Sequence, residues 1–145
     1  MSPAAAVLLV EDDAVLREIV TAILTRAGYR VTTAVCAASA CAALAATPFD
    51  VILTDALVAP TPGRTDYWRA LDLVAAHAGT ARLIIFTAHR ERDFPDFRGH
   101  GYTAILVKPF RLATLVAAVA DALLPRDERP LHASRFAERP IREPG

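Results

Sequence analysis

Short runs of almost wholly apolar residues restrict most strongly how this chain can fold. Four such runs cover residues 7–10, 51–54, 83–86 and 104–107, and a further strand is predicted at 29–35. A strand without polar positions has to be covered on both faces, which is typical of a parallel sheet flanked by helices. Helical patterns follow four of these strands, over about 14–27, 37–46, 66–77 and 112–124. The alternation predicts an α/β fold, a doubly wound five-stranded parallel sheet with helices on both faces.

Local signals predict where several helices begin and end. Asp13 stands where it can cap the first helix, Gly28 supplies a C-terminal stop, and Pro48 ends the second helix. The connection 90–100 between the fourth and fifth strands has no clear apolar period and contains Pro95. We therefore expect only a short or irregular helix there, within a total of about five helices.

Composition excludes several classes of protein. The 16 basic and 16 acidic residues cancel, and no helix-turn-helix pattern is visible, so direct DNA binding is not expected. No apolar run approaches the ~18 residues that suggest a membrane span, and the first residues do not resemble a secretory signal. Cys36 and Cys41 form neither a disulfide scaffold nor a metal-binding knuckle. We expect a cytoplasmic protein that does not bind membranes.

The chain is interpreted as one domain, residues 5–124, followed by a tail at 125–145. The tail has four prolines, many charges and little periodicity, so we expect it to be mostly disordered and dispensable for folding.

Charged and hydroxyl side chains stand where the predicted strands end. Glu11 and Asp12 follow the first strand, Asp55 follows the third, Thr87 ends the fourth, and Lys108 follows the fifth. In an open parallel sheet these carboxyl ends share one edge, where ligands bind. Carboxylates that converge repel one another unless a hard divalent cation such as Mg²⁺ neutralises them. The set fits phosphoryl transfer in which a carboxylate is the nucleophile.

Four motifs in this order resemble the receiver domains of two-component response regulators, including the single-domain chemotaxis type. They are residues 7–13, 49–55, 84–88 and 101–110, the last containing Lys108-Pro109-Phe110. The resemblance covers about residues 5–124 and implies a flavodoxin-like fold. It also implies a phosphodonor, either a sensor histidine kinase or a phosphotransfer protein, and a downstream protein target.

Carried over by position, the resemblance implies a metal site at the strand ends. Asp55 would be the phosphoacceptor, and Mg²⁺ would be held by Asp12, Asp55 and the backbone carbonyl of Leu57. Glu11 would act through a metal-bound water.

The resemblance also implies roles for two further side chains. Lys108 would contact the phosphoryl oxygens, and Thr87 would move to hydrogen-bond them. The peptide bond between Lys108 and Pro109 would be cis.

The chain departs from the family pattern in four places. Ile105 stands where the family has an aromatic ring that swings inward, so we expect a different switch here. Ala59 replaces the usual proline of the loop after Asp55. In the family, the positions of Leu57 and His89 flank the path of attacking water, so the resemblance implies an unusual phosphoryl lifetime here. Pro95 weakens the helix that often contacts partners.

The residues allow other interpretations. One is a pseudo-receiver, the same fold used as a phosphorylation-independent binding module. A haloacid-dehalogenase-like phosphatase would need an acid two residues after its nucleophile, where this chain has Leu57. A flavin site would need a Ser/Thr-rich loop after the first strand. Tyr67 and Trp68 suit core packing better than a partner contact, and His77, His100 and His132 suit the surface. The sequence leaves a homodimer open.

Overall fold

The computed structural model describes residues 4–57 and 66–125, and within them the predicted elements form. The described part holds five strands, four α-helices and one 3₁₀ turn. The strands are β1 Ala6–Val10, β2 Arg30–Ala34, β3 Val51–Thr54, β4 Arg82–Thr87 and β5 Tyr102–Val107. The helices are α1 Ala14–Arg26, α2 Ala37–Ala46, α3 Tyr67–Ala76 and α4 Leu112–Leu123, and the 3₁₀ turn is Glu91–Asp93.

The strands form one parallel sheet in the order β2-β1-β3-β4-β5. The predicted doubly wound α/β fold is therefore confirmed. Every residue of β1 and β3 is buried, as their unbroken apolar runs require. The edge strand β2 is largely exposed, and its sequence is correspondingly mixed.

The predicted helix signals act as expected. The Asp13 carboxylate accepts hydrogen bonds from the backbone N–H groups of Val15 and Leu16, so it is the N-cap of α1. Gly28 follows the same helix with φ +100°, a conformation that a residue with a Cβ adopts only with strain.

The connection between β4 and β5 contains no α-helix, which confirms the expected irregularity. Its regular structure is the single turn Glu91–Asp93. Phe94 and Phe97 are buried and anchor the connection to the core, and Tyr67 and Trp68 of α3 are buried beside them. The prediction that Tyr67 and Trp68 serve packing is confirmed. β5 begins at Tyr102, two residues earlier than predicted.

Some predictions fall outside the described residues. They concern the loop with Ala59 at 58–65 and most of the tail at 125–145, including His132. Among the described helices, none is both long and apolar enough to span a bilayer.

Candidate functional site

Three carboxylates meet at the carboxyl ends of β1 and β3, as the sequence predicts. The Asp55 N–H donates to the Val10 carbonyl at 2.9 Å, which continues the β1–β3 pairing and sets Asp55 beside the residues that follow β1. One ligand oxygen from each of Glu11, Asp12 and Asp55 lies within 4.8 Å of the others. Glu11 is 1% exposed, Asp55 is half-buried, and Asp12 is open to solvent.

Lys108 supplies the positive charge of this cluster. Its Nζ lies 2.5 Å from Glu11 Oε1 and 3.7 Å from Asp55 Oδ1. The ammonium also lies over the Phe86 ring, 4.5 Å from its centroid, in a cation–π contact. The Lys108–Pro109 peptide is cis, as the family resemblance implies. The sequence pattern places Lys108 at the site but does not indicate that it pairs with Glu11.

Thr87 lies next to Lys108 on the adjacent strand. The Lys108 N–H donates to the Thr87 carbonyl at 2.6 Å, which extends the β4–β5 ladder. The Thr87 side chain is fully buried, and its hydroxyl oxygen accepts a hydrogen bond of 3.0 Å from the His89 N–H. The hydroxyl is thereby tied to the first residues of the connection that leads away from β4.

Backbone groups complete the surroundings of Asp55. The Ala56 N–H donates to Asp55 Oδ1 at 2.9 Å, a charge-assisted bond that orients the carboxylate. Leu57 has φ +68°, an uncommon conformation for a bulky side chain. Backbone strain of this kind clusters at functional sites. No pattern in the sequence predicts the positive φ of Leu57.

Two contacts hold the acidic turn after β1. Arg17 Nη1 donates to the Glu11 carbonyl at 2.8 Å, and the Asp13 N–H donates to Glu11 Oε2 at 3.2 Å. The sequence pattern assigns no role at the site to Arg17 or Phe86. Each lies within a helix or strand pattern, so only the folded arrangement reveals its place beside the site.

Burial raises the pKa of Glu11 above its ordinary value, and the hydrogen bond from Lys108 opposes this rise. The pKa of Asp55 is also raised by burial, while the Lys108 charge lowers it and the Asp12 charge raises it further. Lys108 therefore acts against the effect of burial at both carboxylates.

The donor set suits a small divalent cation. The three carboxylate oxygens lie within 4.8 Å of one another. This limit is little more than twice an Mg²⁺–oxygen distance of about 2.1 Å, so one ion can contact all three. All three ligands are oxygens, which Mg²⁺ and Ca²⁺ prefer, and Asp12 leaves one side open to water.

Of the histidines predicted to lie at the surface, His77 and His100 are among the described residues, and neither belongs to the carboxylate cluster. His77 follows α3 and is exposed. His100 is half-buried and stacks on Trp68, a contact that the sequence did not predict.

The chain matches the model of a known family. The model of the response regulator receiver domain matches residues 7–120. No curated protein sequence matches the chain.

Solved structures of response regulators and receiver domains are similar to this chain. The chemotaxis response regulator CheY4 of Vibrio cholerae is 28% identical, with a TM-score of 0.69 over 83% of this chain and 99% of that one. A response regulator receiver protein from Sinorhizobium medicae is 27% identical, with a TM-score of 0.64 over 83% and 94% of the two chains.

A third similar structure carries a metal. The receiver domain of a sensor histidine kinase from Pseudomonas aeruginosa is 26% identical, with a TM-score of 0.67 over 83% of this chain and 98% of that one. It is described with a magnesium ion coordinated in its active site cleft.

Proposed function

This chain belongs to the response regulator receiver domain family, and we propose that Asp55 is its phosphoacceptor. The observation that carries the proposal is the convergence of three carboxylates and Lys108 at one edge of the sheet. Asp55 follows β3, the middle strand of the sheet, and its Oδ1 accepts from the Ala56 N–H and lies 3.7 Å from Lys108 Nζ. We favour a phosphoacceptor over a pseudo-receiver because the three carboxylates, Thr87 and Lys108 are all present.

Mg²⁺ is the cofactor we propose. Asp12, Asp55 and the backbone carbonyl of Leu57 would hold it directly, and Glu11 would act through a water. When bound, the ion neutralises the carboxylates and the charge of the incoming phosphoryl group. The left-handed backbone of Leu57 supports its part in the set, because strain of this kind is retained mainly where a function uses it.

The transfer step uses the ionised Asp55. A carboxylate oxygen attacks the phosphorus of a phosphohistidine, the new P–O bond forms as the P–N bond breaks, and the imidazole keeps the electron pair. Lys108 Nζ, now 3.7 Å from Asp55 Oδ1, would bind the phosphoryl oxygens, and the buried Thr87 hydroxyl would donate to them. The product is an acyl phosphate, and its formation and hydrolysis are the only reactions we assign to the chain.

The proposed donor is a sensor histidine kinase or a phosphotransfer protein. We propose that residues 5–124 form the receiver, that it acts in the cytoplasm, and that its output passes through protein contacts and not through DNA. The free Cys36 and Cys41 fit a reducing compartment.

Intact-mass spectrometry after incubation with acetyl phosphate and Mg²⁺ tests the proposal. We expect one phosphoryl adduct in the wild-type protein and none in Asp55→Asn. Asp50→Asn is a matched control because Asp50 lies at the other end of β3, where its carboxylate accepts from the Ala6 N–H. It should keep the adduct.

An adduct that persists in Asp55→Asn would overturn the assignment of the acceptor. Absence of any adduct from wild type, with acetyl phosphate or with a phosphorylated donor protein, would favour the pseudo-receiver.

A further inference from the structure

The connection 88–101 leaves the site at one end and packs on α3 at the other. At its start, the His89 N–H donates to the Thr87 hydroxyl. In its middle, the Phe94 ring meets the Tyr67 and Trp68 rings edge-on, at 5.6 and 6.0 Å between centroids. The connection is therefore attached to α3 by side chains, without a helix of its own.

Its far end carries a closer contact. The His100 ring stacks on the Trp68 ring at 3.6 Å between centroids, with 5° between the planes. His100 Nδ1 lies 2.7 Å from Asp72 Oδ1. A carboxylate only accepts, so His100 Nδ1 carries the hydrogen of this bond. Trp68 and Asp72 lie one helical turn apart on α3, so one histidine binds both.

We propose that His100, Trp68 and Asp72 form a latch that holds the connection on α3, and that this latch reports the phosphorylation state of Asp55. The second half of this inference rests on the proposed function, because it requires an acceptor at Asp55. The first half, that the latch positions the connection, concerns the unphosphorylated protein and stands without it.

Position 105 cannot serve as a ring switch in this chain. Ile105 is fully buried in β5, opposite Ile85 of β4, and has no ring to expose. Instead, the Thr87 hydroxyl contacts the connection directly, because it accepts a hydrogen bond from the His89 N–H. When the Thr87 hydroxyl moves toward a phosphoryl group, the hydrogen bond from the His89 N–H is stretched. This displacement acts on the connection 88–101, whose other end is held by the latch.

The holding role is tested by amide hydrogen exchange on the unphosphorylated protein. His100→Ala should raise exchange over 91–101 by about tenfold, since an aromatic stack and a hydrogen bond to a carboxylate are lost. His100→Phe keeps the stack without the bond to Asp72 and should recover part of the protection. His77→Ala is the matched control, because His77 is a second histidine bonded to α3, through the Leu73 carbonyl. Unchanged exchange in His100→Ala would overturn the latch.

The reporting role is tested by fluorescence, because Trp68 is the only tryptophan among the 145 residues. Acetyl phosphate with Mg²⁺ should change Trp68 emission in wild type and in Ile105→Val, and not in Asp55→Asn. His100→Ala should lose the change while intact mass still shows the adduct.

Each outcome has a separate meaning. An adduct without any change in Trp68 emission, or a full change in His100→Ala, would overturn the reporting role and leave the proposed function intact. Absence of an adduct would refute the proposed function and with it the reporting role, while the hydrogen-exchange result would still decide whether the latch exists.

Discussion

Replacing Lys108 by methionine should destabilise the protein in a way that depends on pH. Methionine keeps most of the packing against Phe86 and removes the charge. Glu11, 1% exposed, then loses the cation 2.5 Å away and keeps Asp12 and Asp55 within 4.8 Å. Two charges 4.8 Å apart repel by about 3.5 kcal/mol at an effective dielectric constant of 20. Breaking a buried ion pair costs about 3–5 kcal/mol in other proteins. We therefore expect a loss of about 3 kcal/mol at pH 7.5.

The sign of the pH dependence follows from Glu11. Burial already raises its folded-state pKa above the ordinary value of 4.5, and removal of Lys108 raises it further. A folded state that binds the proton more tightly gains stability as the pH falls through that raised pKa. The loss of stability caused by Lys108→Met is therefore largest above the raised pKa of Glu11. It decreases as the pH falls below that pKa and is small near pH 4.5, the ordinary value.

Urea unfolding of wild type and Lys108→Met at pH 7.5 and pH 5 measures this difference. Glu11→Gln in the Lys108→Met background should recover much of the loss at pH 7.5, because it removes the unpaired buried charge. Mg²⁺ should also reduce the loss. A cost that is the same at both pH values, or a Lys108→Met protein as stable as wild type, would refute the reasoning.

Three further predictions concern the metal, the tail and the core. Asp12→Ala should lower Mg²⁺ affinity by about tenfold or more and Glu11→Ala by less, because a direct ligand contributes both an oxygen and a charge. Calorimetric titration measures this, and equal affinities of wild type and Asp12→Ala would contradict it. A chain ending at residue 125 should keep its melting temperature to within about 2 °C, and a loss above about 5 °C would mean that the tail packs on the domain. Burial raises the pKa of Tyr102, so stability should fall as the pH rises beyond about 10, the pKa expected in the unfolded chain. Tyr102→Phe should weaken that fall in urea unfolding between pH 9 and 11, and an unchanged slope would count against it.

The fold and the position of the site follow from local patterns in the sequence. An apolar strand such as β1 or β3 is recognisable because both its faces are covered, and residues that follow parallel strands must share an edge. The convergence of Glu11, Asp12 and Asp55 was therefore predictable, whereas their roles stay predictions. α2 was predicted with its observed bounds because Ala-rich helical sequence and Pro48 mark it clearly.

Contacts between distant side chains were not predictable in the same way. The pairing of Lys108 with Glu11 spans 97 residues, and the stack of His100 on Trp68 joins two elements with no shared pattern. The start of β5 was misplaced because Tyr102 and Thr103 follow a glycine and include a polar residue. The Tyr102 hydroxyl is satisfied only in the fold, by the Leu71 carbonyl at 2.6 Å.

The order of strands in the sheet also sets when the site can exist during synthesis. β1 lies between β2 and β3, so residues 6–54 can pair three strands on their own. Lys108 follows Asp55 by 53 residues, and at about 5–20 residues per second it is added roughly 3–10 s later. During that interval the nascent chain carries the three acids without the lysine that neutralises them. A divalent cation or solvent has to screen their charges until β4 and β5 join the sheet.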